Sequence, residues 1–190
     1  MKIAIYYMHY SCLGHSSMIG RLVRILKSDK SEIMVIQAGE KQDFLHRDFK
    51  LVNIPYSMGG REIWQGAEAN INIEIIKKRL EFARKELKEF MPDVFITEFF
   101  PFGMKLFSLE MAAILEYLKF LNPNIRIYSS LFSPYIDNDK VLKFAKYYDK
   151  ILIHCPENLD FEYVKKAAMN IKEEGIIYFY DKVFTALKDK

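Results

Sequence analysis

Lys2-Ile3-Ala4-Ile5-Tyr6-Tyr7-Met8, then His9-Tyr10-Ser11-Cys12-Leu13-Gly14-His15, then a helix-patterned run to Lys27: this opening stretch decides the fold. Ile3 to Met8 is a continuous apolar run, which suits a strand buried on both faces of a sheet. Polar residues and Gly14 interrupt it. Behind them Ile19, Leu22, Val23, Ile25 and Leu26 recur at helical spacing, with Arg21, Arg24 and Lys27 between. Strand, short polar loop, helix is the opening unit of a doubly wound α/β sheet. In that fold the first strand lies centrally, and ligands bind where its loop meets the helix N-terminus.

The same alternation runs on. Apolar runs at Ile33–Ile36, Leu51–Ile54, Val94–Thr97, Ile125–Tyr128, Ile151–His154 and Ile176–Phe179 predict further strands. Ile73, Ile76, Leu80, Ala83, Leu87 and Phe90 mark the inner stripe of a long charged helix closed by Pro92, and its Lys77-Lys78-Arg79 reads as a solvated face. Asp139 to Tyr147 and Phe161 to Met169 also read as helices. The expectation is one Rossmann-like domain over residues 1–190: a doubly wound, mostly parallel sheet of about six to seven strands with helices on both faces.

Composition narrows the function. The chain has 190 residues, enough for one domain with a full core, and at 51% hydrophobic and 28% charged it should fold. Its 28 basic and 25 acidic residues leave a net charge of +3, too small and too evenly spread to argue for nucleic acid. Cys12 and Cys155 lack any CxxC partner and are expected as reduced thiols in a cytoplasmic protein. Met1-Lys2 leads straight into a strand, so no signal peptide is expected, and no apolar run reaches the roughly 20 residues needed to span a bilayer. A peripheral membrane contact stays open.

Loops after parallel strands share one sheet edge, and there His15, Glu98, Ser129, Ser133 and Glu157 should converge. His15 sits in the first turn of its helix, where the dipole disfavours imidazolium. It is therefore expected neutral at pH 7, as a general base must be. Glu98 follows the strand expected beside the first, and neighbouring strands lie about 4.8 Å apart, so its carboxylate can reach and orient His15. The alternative is that His15 caps its helix while Glu98 binds backbone amides of the Phe102-Gly103 turn. Ser11, Gly14, Phe102, Gly103 and Ser133 complete the expected binding loops. Arg61, in a long connection with Gly59-Gly60 and Trp64, is placed on a mobile loop over the site or in a solvated crossover. Neither GxGxxG nor GxxxxGK[ST] is present, so no nicotinamide or ATP site is indicated. The histidines lack metal-ligand spacing with the cysteines, and Cys12 as a nucleophile has no assigned base.

The helix expected over Met104–Leu121 is apolar almost all round, interrupted only by Lys105, Glu110, Glu116 and Lys119. A helix on one sheet face needs a single apolar stripe, so this one has surface to spare. Burial under a neighbouring helix, a partner chain, self-association and a membrane surface all remain open.

Two of these stretches carry a family resemblance. Tyr10-Ser11-Cys12-Leu13-Gly14-His15, with Arg21 behind, resembles the first loop of MurG-like glycosyltransferases of the GT-B fold, with Cys12 in place of a first glycine. Pro92-Asp93-Val94-Phe95-Ile96-Thr97-Glu98-Phe99-Phe100-Pro101-Phe102-Gly103 is similar to the Pro-Asp-Val…Glu-x-x-Pro-Phe-Gly block of predicted glycosyltransferases related to MurG. The likeness extends loosely over most of the chain, including Tyr147 to Ile153. It departs at Phe132-Ser133, where an Arg-Asp pair is expected, and at Tyr178-Phe179-Tyr180, where Tyr-Thr-Gly-Tyr is.

The resemblance implies an amino-terminal, acceptor-binding half, often for a lipid-linked acceptor, with His15 as base. A nucleotide sugar would then bind a partner half rather than this chain, which itself would hold no cofactor. The two-subunit N-acetylglucosaminyltransferase of lipid-linked oligosaccharide synthesis is a precedent for such a split. A non-catalytic relic that binds a glycan, lipid or protein, and a piece of a longer enzyme, are the other readings.

Overall fold

Seven strands form one sheet in the order β3-β2-β1-β4-β5-β6-β7, every neighbouring pair parallel. They are β1 (Lys2–His9), β2 (Glu32–Gly39), β3 (Lys50–Asn53), β4 (Val94–Glu98), β5 (Arg126–Leu131), β6 (Lys150–Ile153) and β7 (Ile176–Tyr178). Three helices are described with them: α1 (Leu13–Leu26), α2 (Ile73–Phe90) and α3 (Ser108–Leu121). This computed structural model describes residues 1–9, 13–39, 49–55, 72–102, 107–131, 144, 146–153 and 176–178. The expected α/β class, parallel sheet and interior first strand are all present. The two helices expected over 139–147 and 161–169 lie almost wholly outside the described residues.

Strand alternation divides the core into two layers. Ile3, Ile5, Ile33, Val35, Val94 and Ile96 face one side, covered by Ile19, Leu22, Val23 and Leu26 of α1. Ala4, Tyr6, Met34, Ile36, Phe95 and Ile127 face the other, under Ala83, Leu87 and Phe90 of α2 and Met111, Ile114, Leu115 and Leu118 of α3. Helices therefore pack on both faces, which is why the strands are apolar on both.

Local chemistry sets the ends. The Asn72 side chain accepts from the amides of Glu74 and Ile75 at 3.0 and 3.3 Å, capping α2. Met91, left-handed at φ 50°, ends that helix by donating its amide to the Leu87 carbonyl, and Pro92 follows. Asp93 accepts the Lys2 amide at 2.7 Å and Asp149 the Ile127 amide at 2.8 Å, locking strand starts together. Both aspartates belong to the stretches that carry the family resemblance, and both act at the sheet edge away from the expected site.

Two sequence expectations need correction. Arg79 is not on a solvated face: it is wholly buried, and its Nε donates to Glu110 Oε2 at 2.6 Å between α2 and α3. Ile73, expected inside, is exposed. The spare apolar surface of α3 is real, since Leu109 and Phe120 lie on one outer stripe, 57% and 81% exposed. Residues 104–106, which would begin that helix, lie outside the described residues.

Candidate functional site

His15 and Glu98 meet. His15 Nδ1 lies 2.5 Å from Glu98 Oε1, with the imidazole 21% exposed and the carboxylate side chain 1% exposed. β1 delivers α1 at the carboxyl edge of the sheet, and α1 places His15 over β4, whose last residue is Glu98. Helix and strand are both rigid, so the pair is held by secondary structure rather than by a loop.

The turn after β4 fixes the carboxylate further. The hydroxyls of Thr97 and Ser129 both donate to the Phe100 carbonyl at 2.8 Å. The Phe99 amide donates to the Ser130 carbonyl and the Phe102 amide to the Phe99 carbonyl. Phe99 is left-handed at φ 64°, a costly conformation for a bulky side chain and one that clusters beside functional sites. Phe100 and Phe102 are buried in the core beneath. Phe102, expected to line a binding surface, thus anchors the turn from inside. Among the described residues, the amides of Phe99, Phe100 and Phe102 go to backbone carbonyls rather than to the Glu98 carboxylate.

Electrostatics corrects a second expectation. Burial pushes the pKa of His15 down, but the hydrogen bond and charge of Glu98 outweigh burial, and the net direction is up from its ordinary 6.5. Glu98 is also raised above its ordinary 4.5, because burial outweighs the help of His15. The expectation that the helix dipole disfavours imidazolium neglected this carboxylate, which acts at contact distance and moves the pKa the other way.

Around the pair, strand register builds a polar row that the apolar runs hid. Tyr7 pairs with Gln37, Gln37 with Asn53, and Glu98 with Ser130. The β1–β4 register ends at Tyr6–Thr97, so Tyr7 and Glu98 are its next step. Asn53, Gln37, Tyr7, Glu98 and Ser130 therefore cross five strands in one line near the carboxyl edge, beneath the start of α1. The available signal was a polar residue near the carboxyl end of the other four strands, Asn53, Gln37, Glu98 and Ser130, while Tyr7 gave none.

Gly14 is exposed in the first turn of α1, with open space where a Cβ would stand. Ser129 is a buried strand residue, not a loop residue, and serves the turn. Ser11, Cys12, Arg61, Gly103, Ser133 and Glu157 lie outside the described residues. Among the described residues no cluster of His, Cys, Asp and Glu could hold a metal ion, and no helix is long and apolar enough to cross a membrane.

No family model matches the chain, and no curated protein matches it in sequence. Solved structures do. UDP-GlcNAc 2-epimerase from Methanocaldococcus jannaschii matches with a TM-score of 0.60 at 15% identity, over 94% of this chain and 45% of that one. The lipopolysaccharide outer core galactosyltransferase WaaB matches at 0.57 and 17% identity, over 93% and 44%. A fragment of sucrose-phosphate synthase from Thermosynechococcus elongatus matches at 0.56 and 10% identity, over 100% of this chain and 96% of that one. The chain spans less than half the length of the first two, and the likeness is one of fold. This chain has the Rossmann-like α/β fold of one half of an enzyme of the GT-B type.

Proposed function

We propose that this chain is the acceptor-binding half of a nucleotide-sugar-dependent glycosyltransferase related to MurG, completed by a donor-binding half on a separate chain or domain. The observation that carries the proposal is the His15–Glu98 pair, 2.5 Å apart at the carboxyl edge of a half-GT-B fold.

In this reading His15 Nδ1–H donates to Glu98, fixing the tautomer whose Nε2 lone pair takes a proton from an acceptor hydroxyl. As that hydroxyl oxygen bonds to the sugar carbon, the imidazolium that forms is stabilised by the Glu98 carboxylate. The donor sugar and its nucleotide leaving group belong to the partner half. Gly14 leaves open space at the helix start for an acceptor to approach, and Ser11, Arg61, Gly103 and Ser133 are proposed as further acceptor contacts. The protein is proposed as cytoplasmic and peripheral to a membrane, its exposed α3 stripe meeting the partner.

A second reading, a non-catalytic relic that binds a glycan, lipid or protein, draws on the upward direction of the His15 pKa, which leaves less free base at neutral pH. Calorimetric titration of the isolated chain with UDP- and GDP-sugars tests the division of labour. The proposal expects no submillimolar binding, nothing tighter than about −4 kcal/mol. Tighter binding would place the donor site on this chain and end the proposal.

A further inference from the structure

A chain of three buried hydroxyls converges on one carbonyl, two residues beyond the dyad carboxylate. Thr97 and Ser129 are register partners on β4 and β5, and each donates to the Phe100 carbonyl at 2.8 Å. The Tyr148 hydroxyl lies 2.8 Å from Thr97 Oγ1. Thr97 has a single hydroxyl proton and gives it to Phe100, so Tyr148 is the donor in that bond. Donation therefore runs from Tyr148 to Thr97 to the carbonyl, and Ser129 fills the carbonyl's second lone pair. All three side chains are buried.

Strand alternation puts Thr97 on the sheet face of Phe95 and Tyr148, and Glu98 on the opposite face with Ile96, under α1. Directly after Glu98 the backbone reverses. The Phe100 amide donates to the Glu98 carbonyl at 2.9 Å, around Phe99 at φ 64°. A bond between residues two apart around a positive φ marks the rarer, strained form of γ-turn. Such a conformation persists only where its surroundings over-determine it. Here the Phe99 amide is fastened to the Ser130 carbonyl at 2.8 Å, and the Phe100 carbonyl to the two hydroxyls. The Phe100 ring packs on Phe144 and Tyr148, with centroids 5.4 and 6.5 Å away. Packing alone does not call for hydroxyls at these positions, because Phe, Val and Ala fill similar volumes without burying a polar group.

We infer that Tyr148, Thr97 and Ser129 are positioning residues of the dyad. Acting from the opposite face of the sheet, they hold the turn after β4 in the form that sets Glu98 Oε1 against His15 Nδ1. The inference rests on the proposed sugar-transfer reading, in which His15 is the base that Glu98 orients. Tyr148 is the remote member: it lies in the connection entering β6 and acts through Thr97 and the turn. Burial raises the Tyr148 hydroxyl well above its ordinary value, which keeps it a donor. Among the described residues Glu98 is the charged group acting on His15. The titration midpoint of His15 thus reports how closely the carboxylate is held.

The test is that midpoint, followed by NMR on the free chain in wild type, Tyr148→Phe, Thr97→Val and Thr97→Ser. The first two variants keep the shape of the side chain and remove one hydroxyl. The network predicts a midpoint lower by about 0.3 unit or more in both, because the Glu98 carboxylate is no longer held against the imidazolium it stabilises. Thr97→Ser keeps the hydroxyl and should titrate as wild type does. Either hydroxyl-free variant, folded and with the wild-type midpoint, would show that these hydroxyls serve stability alone and would overturn the inference. An equal fall in Thr97→Ser would overturn it too, by assigning the effect to the lost methyl group. Where Thr97→Val fails to fold, Ser129→Ala removes the other bond to the same carbonyl and carries the same expected fall. The midpoint is read without acceptor or donor, so this result stands apart from the transfer kinetics of His15→Ala, which test the base itself.

Discussion

Arg79 and Glu110 face each other across α2 and α3 at 2.6 Å, and neither side chain has any exposed surface. The Tyr6 hydroxyl from β1 also donates to Glu110, and Phe107 lies 5.5 Å from the Arg79 guanidinium. Because α3 is apolar on nearly all sides, hydrophobicity alone does not fix its rotation. The buried pair does so, and it turns Leu109 and Phe120 outward. Breaking a buried ion pair leaves an uncompensated charge, so Glu110→Gln should lower unfolding free energy by about 3 kcal/mol or more. The double replacement Arg79→Met with Glu110→Leu should recover most of that loss. Denaturant unfolding measures both, and a single variant as stable as wild type would remove the pair from this role.

Arg79 also shows where sequence reading stopped. The apolar runs marked the strands and the parallel sheet because a strand buried on both faces must be apolar throughout. They could not show that one cation in Lys77-Lys78-Arg79 turns inward, since its partner lies 31 positions away on another helix. His15 and Glu98 were legible as a pair because strand order puts β1 beside β4. Tyr7 was not, because it reads as one more apolar residue until the register sets it beside Glu98. The direction of the His15 pKa was missed for the same reason: it depends on a contact distance, not on a position in a helix.

Stability and activity should respond to pH in opposite directions. His15 has a native pKa above its unfolded value, so its contribution to stability is complete below about pH 6.5 and is lost as pH rises through the native value. Glu98, also raised, makes native stability fall as pH climbs above about 4.5. A general base needs the deprotonated imidazole, so transfer should instead rise with pH through the same native value. Unfolding midpoints across a pH series should decline toward alkaline pH, and Glu98→Gln should flatten the decline. A stability profile unchanged by Glu98→Gln would show that the pair is not coupled.

Two glycines of α1 separate folding from binding. Gly14 and Gly20 both have open space for a Cβ, and both are helical. Alanine at Gly20 should stabilise the chain by about 0.5–1 kcal/mol, as helix propensity dictates. Gly14→Ala should also fold at least as well as wild type, yet impair acceptor use in the completed enzyme. Thermal unfolding beside a transfer assay distinguishes them. Equal activity in both variants would remove Gly14 from the acceptor site.

The outward stripe of α3 should be dispensable for folding. Phe120 is 81% exposed, and Phe120→Ser should change stability by no more than about 0.5 kcal/mol. If this face meets the donor-binding half, the same change should weaken co-purification of that half. A stable variant that retains its partner at wild-type level would place the interface elsewhere.

The central claim is that His15 is the base of a sugar transfer, and the most direct measurement is the transfer rate of His15→Ala in the enzyme completed by its donor-binding half. The account predicts a fall of about 10²–10⁴ with the fold intact, the range that general base catalysis supplies. Glu98→Gln should lose less and should move the pH midpoint of the rate downward. A His15→Ala enzyme that transfers at the wild-type rate would contradict the account.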